Sequence, residues 1–126
     1  MKSPASRGSV LIVDDEQDIV RPLAFRLEME GFRVALEQDG QLGYARAVAE
    51  VPDIILLDVM MPGIDGVTLC RMLKEEESTR RIPINMVTAL SRMGDVEAAF
   101  SAHADDYVSK PYEWAQLHQK IRKLLG

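Results

Sequence analysis

Asp58 closes an apolar run, residues 54–57, and opens a Pro/Gly-rich turn inside LLDVMMPGIDG, residues 56–66. A second acidic group, Asp14-Asp15-Glu16, follows the apolar run 10–13. Two more apolar runs end in distinctive polar residues, Thr88 in one case and Ser109-Lys110-Pro111 in the other. Carboxylates brought to one place repel each other unless a cation stands between them, so the pattern points to a cation site with one aspartate poised for chemistry. Mg2+ takes hard oxygen ligands in an octahedron and keeps several waters. Two carboxylates, a backbone carbonyl and waters would satisfy it. Such an ion would neutralise the oxygens of an incoming phosphoryl group, Lys110 would supply a point charge beside them, and Asp58 would be the carboxylate nucleophile, forming an acyl phosphate.

These groups converge only if the elements beneath them are parallel strands. Strand candidates are 10–13, 33–36, 54–57, 84–87 and 107–109, and helix candidates are 18–29, 41–49, 67–76, 94–102 and 114–125. The third run is almost wholly apolar, as expected when helices cover both faces of a parallel strand. In the first helix Ile19, Leu23, Leu27 and Glu30 fall on one side, with Phe25 and Met29 widening the stripe. In the last, Leu117, Ile121 and Leu124 share a face. Gly31 reads as a C-cap, Asp39-Gly40 as a turn into the second helix, and Asp65 as the N-cap of the third. Strict alternation with short connections predicts an α/β domain: a flavodoxin-like, doubly wound, five-stranded parallel sheet with five helices, (βα)5. In an open parallel sheet, ligands bind beyond the carboxyl ends of the strands at a topological switch point. All four polar groups would lie on that edge.

At 126 residues the chain fits one domain, with 1–8 as a flexible polar lead-in and 9–126 as the folded unit. A formal charge of −5 argues against direct nucleic-acid binding, which depends on Lys and Arg neutralising phosphates. Lone Cys70 excludes an internal disulfide and a cysteine metal site and fits a reduced, cytoplasmic setting. No apolar stretch approaches the roughly 20 residues that span a bilayer, and the first residues lack the apolar core of a signal peptide.

The runs LIVDDE, LLDVMMPGIDG, VTA and YVSKP, in this order and at this spacing, resemble the marks of a response-regulator receiver domain of two-component signalling. The resemblance covers about residues 9–125. It implies Asp58 as phosphoacceptor and Mg2+ held by Asp15, Asp58 and the backbone carbonyl of Met60, with Asp14 acting mainly through water. It also implies that Thr88 hydrogen-bonds the phosphoryl group, that Lys110 pairs with it, and that the peptide bond before Pro111 is cis. Tyr107 stands where receivers often carry an aromatic switch residue. On that reading Thr88 moves toward the phosphoryl group and Tyr107 rotates into the vacated space, changing the surface around elements 94–102, 107–109 and 114–125.

Some positions depart from the pattern. Met60, two residues beyond Asp58, and Leu90, two beyond Thr88, are apolar and cannot orient an attacking water, which predicts slow self-dephosphorylation. His103 stands where many receivers have glycine, and a left-handed backbone there is the expected reading. Asn85 interrupts the fourth strand; a buried amide needs hydrogen-bond partners or loses about 1–3 kcal/mol, and a place near the sheet's lower rim and an ordered water are both open readings. Tyr112 and Trp114 follow Pro111; Trp114 is either a surface contact or a packing residue at the start of the last helix.

The expected function is a phosphorylation-controlled switch, not a metabolic enzyme, that receives a phosphoryl group from a histidine kinase or histidine phosphotransfer protein. Its downstream protein or output domain is not named by the sequence, and a phosphorylation-dependent dimer is compatible with the resemblance. A stand-alone regulator and a receiver belonging to a larger regulator or hybrid kinase both remain open. The rival is a receiver-like interaction module whose contacts ignore phosphorylation. A phosphatase using Asp58 is disfavoured because Met60 occupies the place of its acid/base carboxylate.

Overall fold

The computed structural model describes residues 8–61, 63–88, 102–110 and 112–126. The elements are β1 (Gly8–Val13), α1 (Gln17–Met29), β2 (Phe32–Glu37), α2 (Gly40–Glu50), β3 (Ile54–Asp58), α3 (Gly66–Glu75), β4 (Ile84–Thr88), β5 (Asp106–Ser109) and α4 (Trp114–Leu125). All five strands are parallel, in the order β2-β1-β3-β4-β5. This is the predicted flavodoxin-like sheet, with four helices among the described residues. Leu90, Pro111, residues 94–101 of the fourth predicted helix and the Thr88 side chain lie outside them.

The chain passes from β1 to one neighbour, β2, and then returns to place β3 on the other side of β1. The switch point therefore falls between β1 and β3. Val13 is level with Leu57 in the register, which sets Asp14 beside Asp58. Strand burial explains the apolar runs: Leu11, Val13, Ile55, Leu57 and Met86 pack with Leu69 and Leu73 in one layer. The alternate residues Val10, Ile12, Ile54, Leu56 and Val87 pack with Leu27, Leu117 and Ile121 in the other. Each fully buried aliphatic side chain contributes about 1.5–3 kcal/mol, so both layers hold the strand exits in place.

Local signals worked where a single side chain or backbone angle decides the outcome. Asp39 accepts from the Leu42 amide at 2.8 Å and Asp65 from the Thr68 amide at 2.8 Å, each the N-cap of its helix. Such a cap is worth about 1 kcal/mol. Gly31 follows α1 with φ +99°, and His103 has φ +70°, the left-handed backbone expected of it. The first strand starts at Gly8, paired with Phe32, so the sheet takes in the last residue assigned to the lead-in.

The face of α1 differs from expectation. Val20, Leu23, Ala24 and Leu27 are buried, whereas Ile19, Phe25 and Met29 are 48%, 64% and 73% exposed. Both sets repeat at helical spacing, and the set with the small Ala24 and the β-branched Val20 is the one that packs on the sheet. Pro22 lies within α1 on the exposed side.

Candidate functional site

The exits of β1 and β3 and the residue after β5 assemble one polar cluster. Asp14 and Asp58 are almost fully buried, at 3% and 4% exposure. The Lys110 ammonium stands between the carboxylates, 2.8 Å from Glu16 Oε1, 3.0 Å from Asp14 Oδ2 and 3.5 Å from Asp58 Oδ1. Backbone groups fix the acids. The Glu16 amide donates to Asp14 Oδ1 at 2.8 Å, and the Gln17 side-chain amide donates to the Asp14 carbonyl at 2.7 Å. The Met60 amide reaches Asp58 Oδ1 at 3.4 Å, a long contact.

Gly66 permits this arrangement. A Cβ there would run into the Asp58 carbonyl oxygen, and the Gly66 amide donates to the Val59 carbonyl at 2.9 Å. The start of α3 can thus close against the end of β3 and hold the turn that follows Asp58.

The electrostatics follow from burial and crowding. Burial, reinforced by the neighbouring Asp14 charge, pushes the Asp58 carboxyl from 3.8 up to about 7; Lys110 and the Met60 amide oppose the rise. Burial pulls the Lys110 ammonium down, but Glu16, Asp14 and Asp58 outweigh it, and Lys110 stays charged with a raised pKa. A single ammonium therefore faces more acidic groups than it can neutralise.

Oxygens of Asp14, Glu16 and Asp58 lie within 4.8 Å of one another. Three converging carboxylates are the hard-oxygen donor set that suits a divalent cation such as Mg2+. The acids fit such an ion: Asp14 and Asp58 are buried side by side at neighbouring strand exits, with oxygens close enough to share one cation. The ligand set implied by the resemblance is brought together in part. Asp14 and Asp58 are in the cluster, and Met60, 63% exposed, touches Asp58 through its amide. Asp15 is exposed, and Glu16 stands third in the acidic group with its Oε1 2.8 Å from the Lys110 ammonium. The role of Glu16 was not visible in LIVDDE, where its acidity was the only signal.

Tyr107 is half-buried against the core layer that contains Met86 and Ala104, with Lys120 Nζ 5.9 Å from its ring centre. Trp114 is half-buried between the Arg26 guanidinium, 4.5 Å from its ring centre, and the His118 ring, stacked at 4.8 Å. Trp114 is thus a packing residue that joins α1 to α4. It also borders a groove of about 580 Å3 whose lining includes Glu16, Ile19, Lys110 and Tyr112. Cys70 is buried, donates to the Ala102 carbonyl at 3.4 Å, and has its thiol pushed up to about 11 by burial, which leaves it unreactive.

A doubly wound parallel domain with buried acids and a lysine at its switch point belongs to the class of α/β domains whose chemistry sits at the strand exits. The chain belongs to the response regulator receiver domain family, whose model matches residues 10–122. It is 43% identical over 115 residues to the response regulator PleD of Caulobacter vibrioides, covering 91% of this chain and 25% of that protein. A chain from Chloroflexus aurantiacus J-10-fl assigned to the response regulators superposes with a TM-score of 0.90 at 33% identity, covering 94% of this chain and 97% of that one. The receiver domain of a sensor histidine kinase of Pseudomonas aeruginosa, solved with magnesium in its active-site cleft, has a TM-score of 0.88 at 31% identity and covers 94% and 98% of the two chains. The chain spans 25% to 51% of the length of the curated relatives PleD, RpaA and ArlR. Receiver domains of response regulators interact with kinases and output domains. Among the described residues no helix is long and apolar enough to cross a membrane.

Proposed function

We propose that the domain is the phosphoacceptor of a two-component phosphorelay and that Asp58 carries the phosphoryl group. The observation that supports this most is the placement of Lys110, whose ammonium sits among Asp58, Asp14 and Glu16 at the strand exits. An Asp58 oxygen attacks the phosphorus of a phosphohistidine on a histidine kinase or phosphotransfer protein. A P–O bond forms, the P–N bond breaks, and the imidazole leaves with its electron pair and takes up a proton. Asp14 and Asp58 supply the buried carboxylates that would hold Mg2+, with the Met60 carbonyl and Asp15 implied by the family likeness. When bound, the ion would neutralise charge on the phosphoryl oxygens. Asp58 must be ionised to attack, and positive charge beside it favours that form. After transfer, Lys110 pairs with the phosphoryl oxygens. The family likeness assigns Thr88 a hydrogen bond to the phosphoryl group.

The result is a signalling switch and not a turnover enzyme. The family likeness assigns Tyr107, which is half-buried on the layer that includes Met86, the role of a side chain that changes rotamer when Thr88 moves. The altered surface would then recruit a downstream protein, an output domain or a second copy. A formal charge of −5 makes direct nucleic-acid contact by this domain unfavourable, and the absence of a disulfide-forming cysteine pair fits a cytoplasmic setting. Incubation with Mg2+ and acetyl phosphate followed by intact-mass measurement tests the proposal. We expect a phosphate-sized gain in the native protein and none in Asp58→Asn. No gain in the native protein would favour an interaction module that ignores phosphorylation.

A further inference from the structure

We propose that Glu16 is a positioning residue for Lys110: its carboxylate draws the ammonium away from Asp58 and thereby sets how readily the site accepts a phosphoryl group. The inference rests on the reading of Asp58 as the phosphoacceptor. Neither the family likeness nor the ligand set it implies gives Glu16 a role.

Three observations carry it. Lys110 makes its shortest contact to Glu16, at 2.8 Å, while Asp58 is 3.5 Å away and beyond ordinary hydrogen-bond range. The Glu16 side chain has no other structural duty at the start of α1. It makes no capping bond, and the helix is entered through backbone groups, with the Ile19 and Val20 amides donating to the Glu16 carbonyl. Glu16 is also half-exposed, at 51% of its side chain, whereas Lys110 is mostly buried at 12%. The carboxylate can therefore swing into solvent while the lysine remains in place.

An ammonium has three donors. A phosphoryl group on Asp58 adds oxygens that compete for the donor held by Glu16. Because the Glu16 end of the contact is exposed, its hold matches that of a surface ion pair, about two- to fivefold in an equilibrium constant. This is strong enough to tune phosphoryl acceptance and weak enough to yield to a doubly charged group.

The test is a titration of the native protein and two variants with beryllofluoride in the presence of Mg2+. Binding is followed by the fluorescence of Trp114, the only tryptophan, which borders the same groove as Glu16 and Lys110. Intact mass after exposure to acetyl phosphate gives a second readout. Glu16→Gln should bind the mimic about two- to fivefold more tightly and gain phosphate faster by a similar factor. Glu16→Asp keeps the charge at the helix start but withdraws the oxygen by one methylene, so it should shift in the same direction. Unchanged or weaker binding by Glu16→Gln overturns the proposal. Native affinity in Glu16→Asp also overturns it, by showing that charge at the helix start and not contact with Lys110 is responsible. A native protein that neither binds the mimic nor gains phosphate refutes the phosphoacceptor reading, and this proposal with it. Native binding without an effect at Glu16 refutes this proposal alone.

Discussion

Asp14 and Asp58 are buried side by side at the ends of neighbouring parallel strands, and the charge of the first makes that of the second costly. Without a cation, burial and this repulsion raise the Asp58 carboxyl from 3.8 to about 7. The folded state then holds a proton that the unfolded state has released. Stability from this group is unaffected below its unfolded value, falls as pH rises between the two values, and stays low above the higher one. Asp58→Asn should therefore stabilise the cation-free protein at pH 8 by a few kcal/mol, because each tenfold difference in proton affinity between the folded and unfolded chains is worth about 1.4 kcal/mol. Near pH 4 the substitution should have little effect. Urea unfolding in chelator at both pH values measures this. Adding Mg2+ at pH 8 should stabilise the native protein more than the variant, since a ligand that binds only the folded state shifts the equilibrium toward it. An Asn effect that is equal at both pH values would contradict the account.

Much of the site could be read from the sequence because its ingredients are local. An apolar run covered on both faces leaves little choice for β3, and a residue at its carboxyl end must lie at the ligand-binding edge. Asp39 and Asp65 cap through their own side chains, so each helix start was legible. The orientation of α1 was not, because Ile19, Phe25 and Met29 compete with Val20, Ala24 and Leu27 at the same period. Only packing against the sheet decides between them. Glu16 escaped for a related reason: its partner Lys110 is 94 residues away, and no local pattern records that contact. Gly66 likewise depends on where the Asp58 carbonyl lies in space.

Asn85 is fully buried on β4 between Leu56 and Asp106, and neither its Nδ2 nor its Oδ1 has a hydrogen-bond partner among the described residues. Burying an unsatisfied amide costs about 1–3 kcal/mol. Asn85→Val should recover part of that, since the β-branched side chain suits a central strand. A higher midpoint in chemical denaturation with an unchanged slope is the expected result. A lower midpoint would show that the amide contributes more than it costs.

His103 takes φ +70°, in the left-handed region, at the entry to β5. A side chain with a Cβ pays about 1–2 kcal/mol there, which glycine avoids at the expense of a more flexible unfolded chain. The side chain is exposed, so little packing is lost on removing it. His103→Gly should thus raise stability by about 1 kcal/mol, whereas His103→Ala should not. Paired denaturation curves separate the two, and equal effects would mean that the imidazole and not the backbone determines the result.

Met60 follows Asp58 by two residues and is 63% exposed beside the site that would carry the phosphoryl group. Hydrolysis of an acyl phosphate requires a water held in line behind the phosphorus, and positioning supplies much of the catalysis of phosphoryl transfer. A thioether is at most a weak acceptor and donates nothing, so it cannot hold that water. The amide of Met60 is already directed at Asp58 Oδ1. The phosphorylated protein should therefore persist for hours in order of magnitude when Mg2+ is present. Met60→Asn or Met60→Glu should shorten that lifetime without changing the rate of phosphorylation by a small donor. Decay of the phosphate-bearing mass after removal of the donor measures it directly. A lifetime of seconds in the native protein, or one that Met60→Asn and Met60→Glu leave unchanged, would mean that another group positions the water.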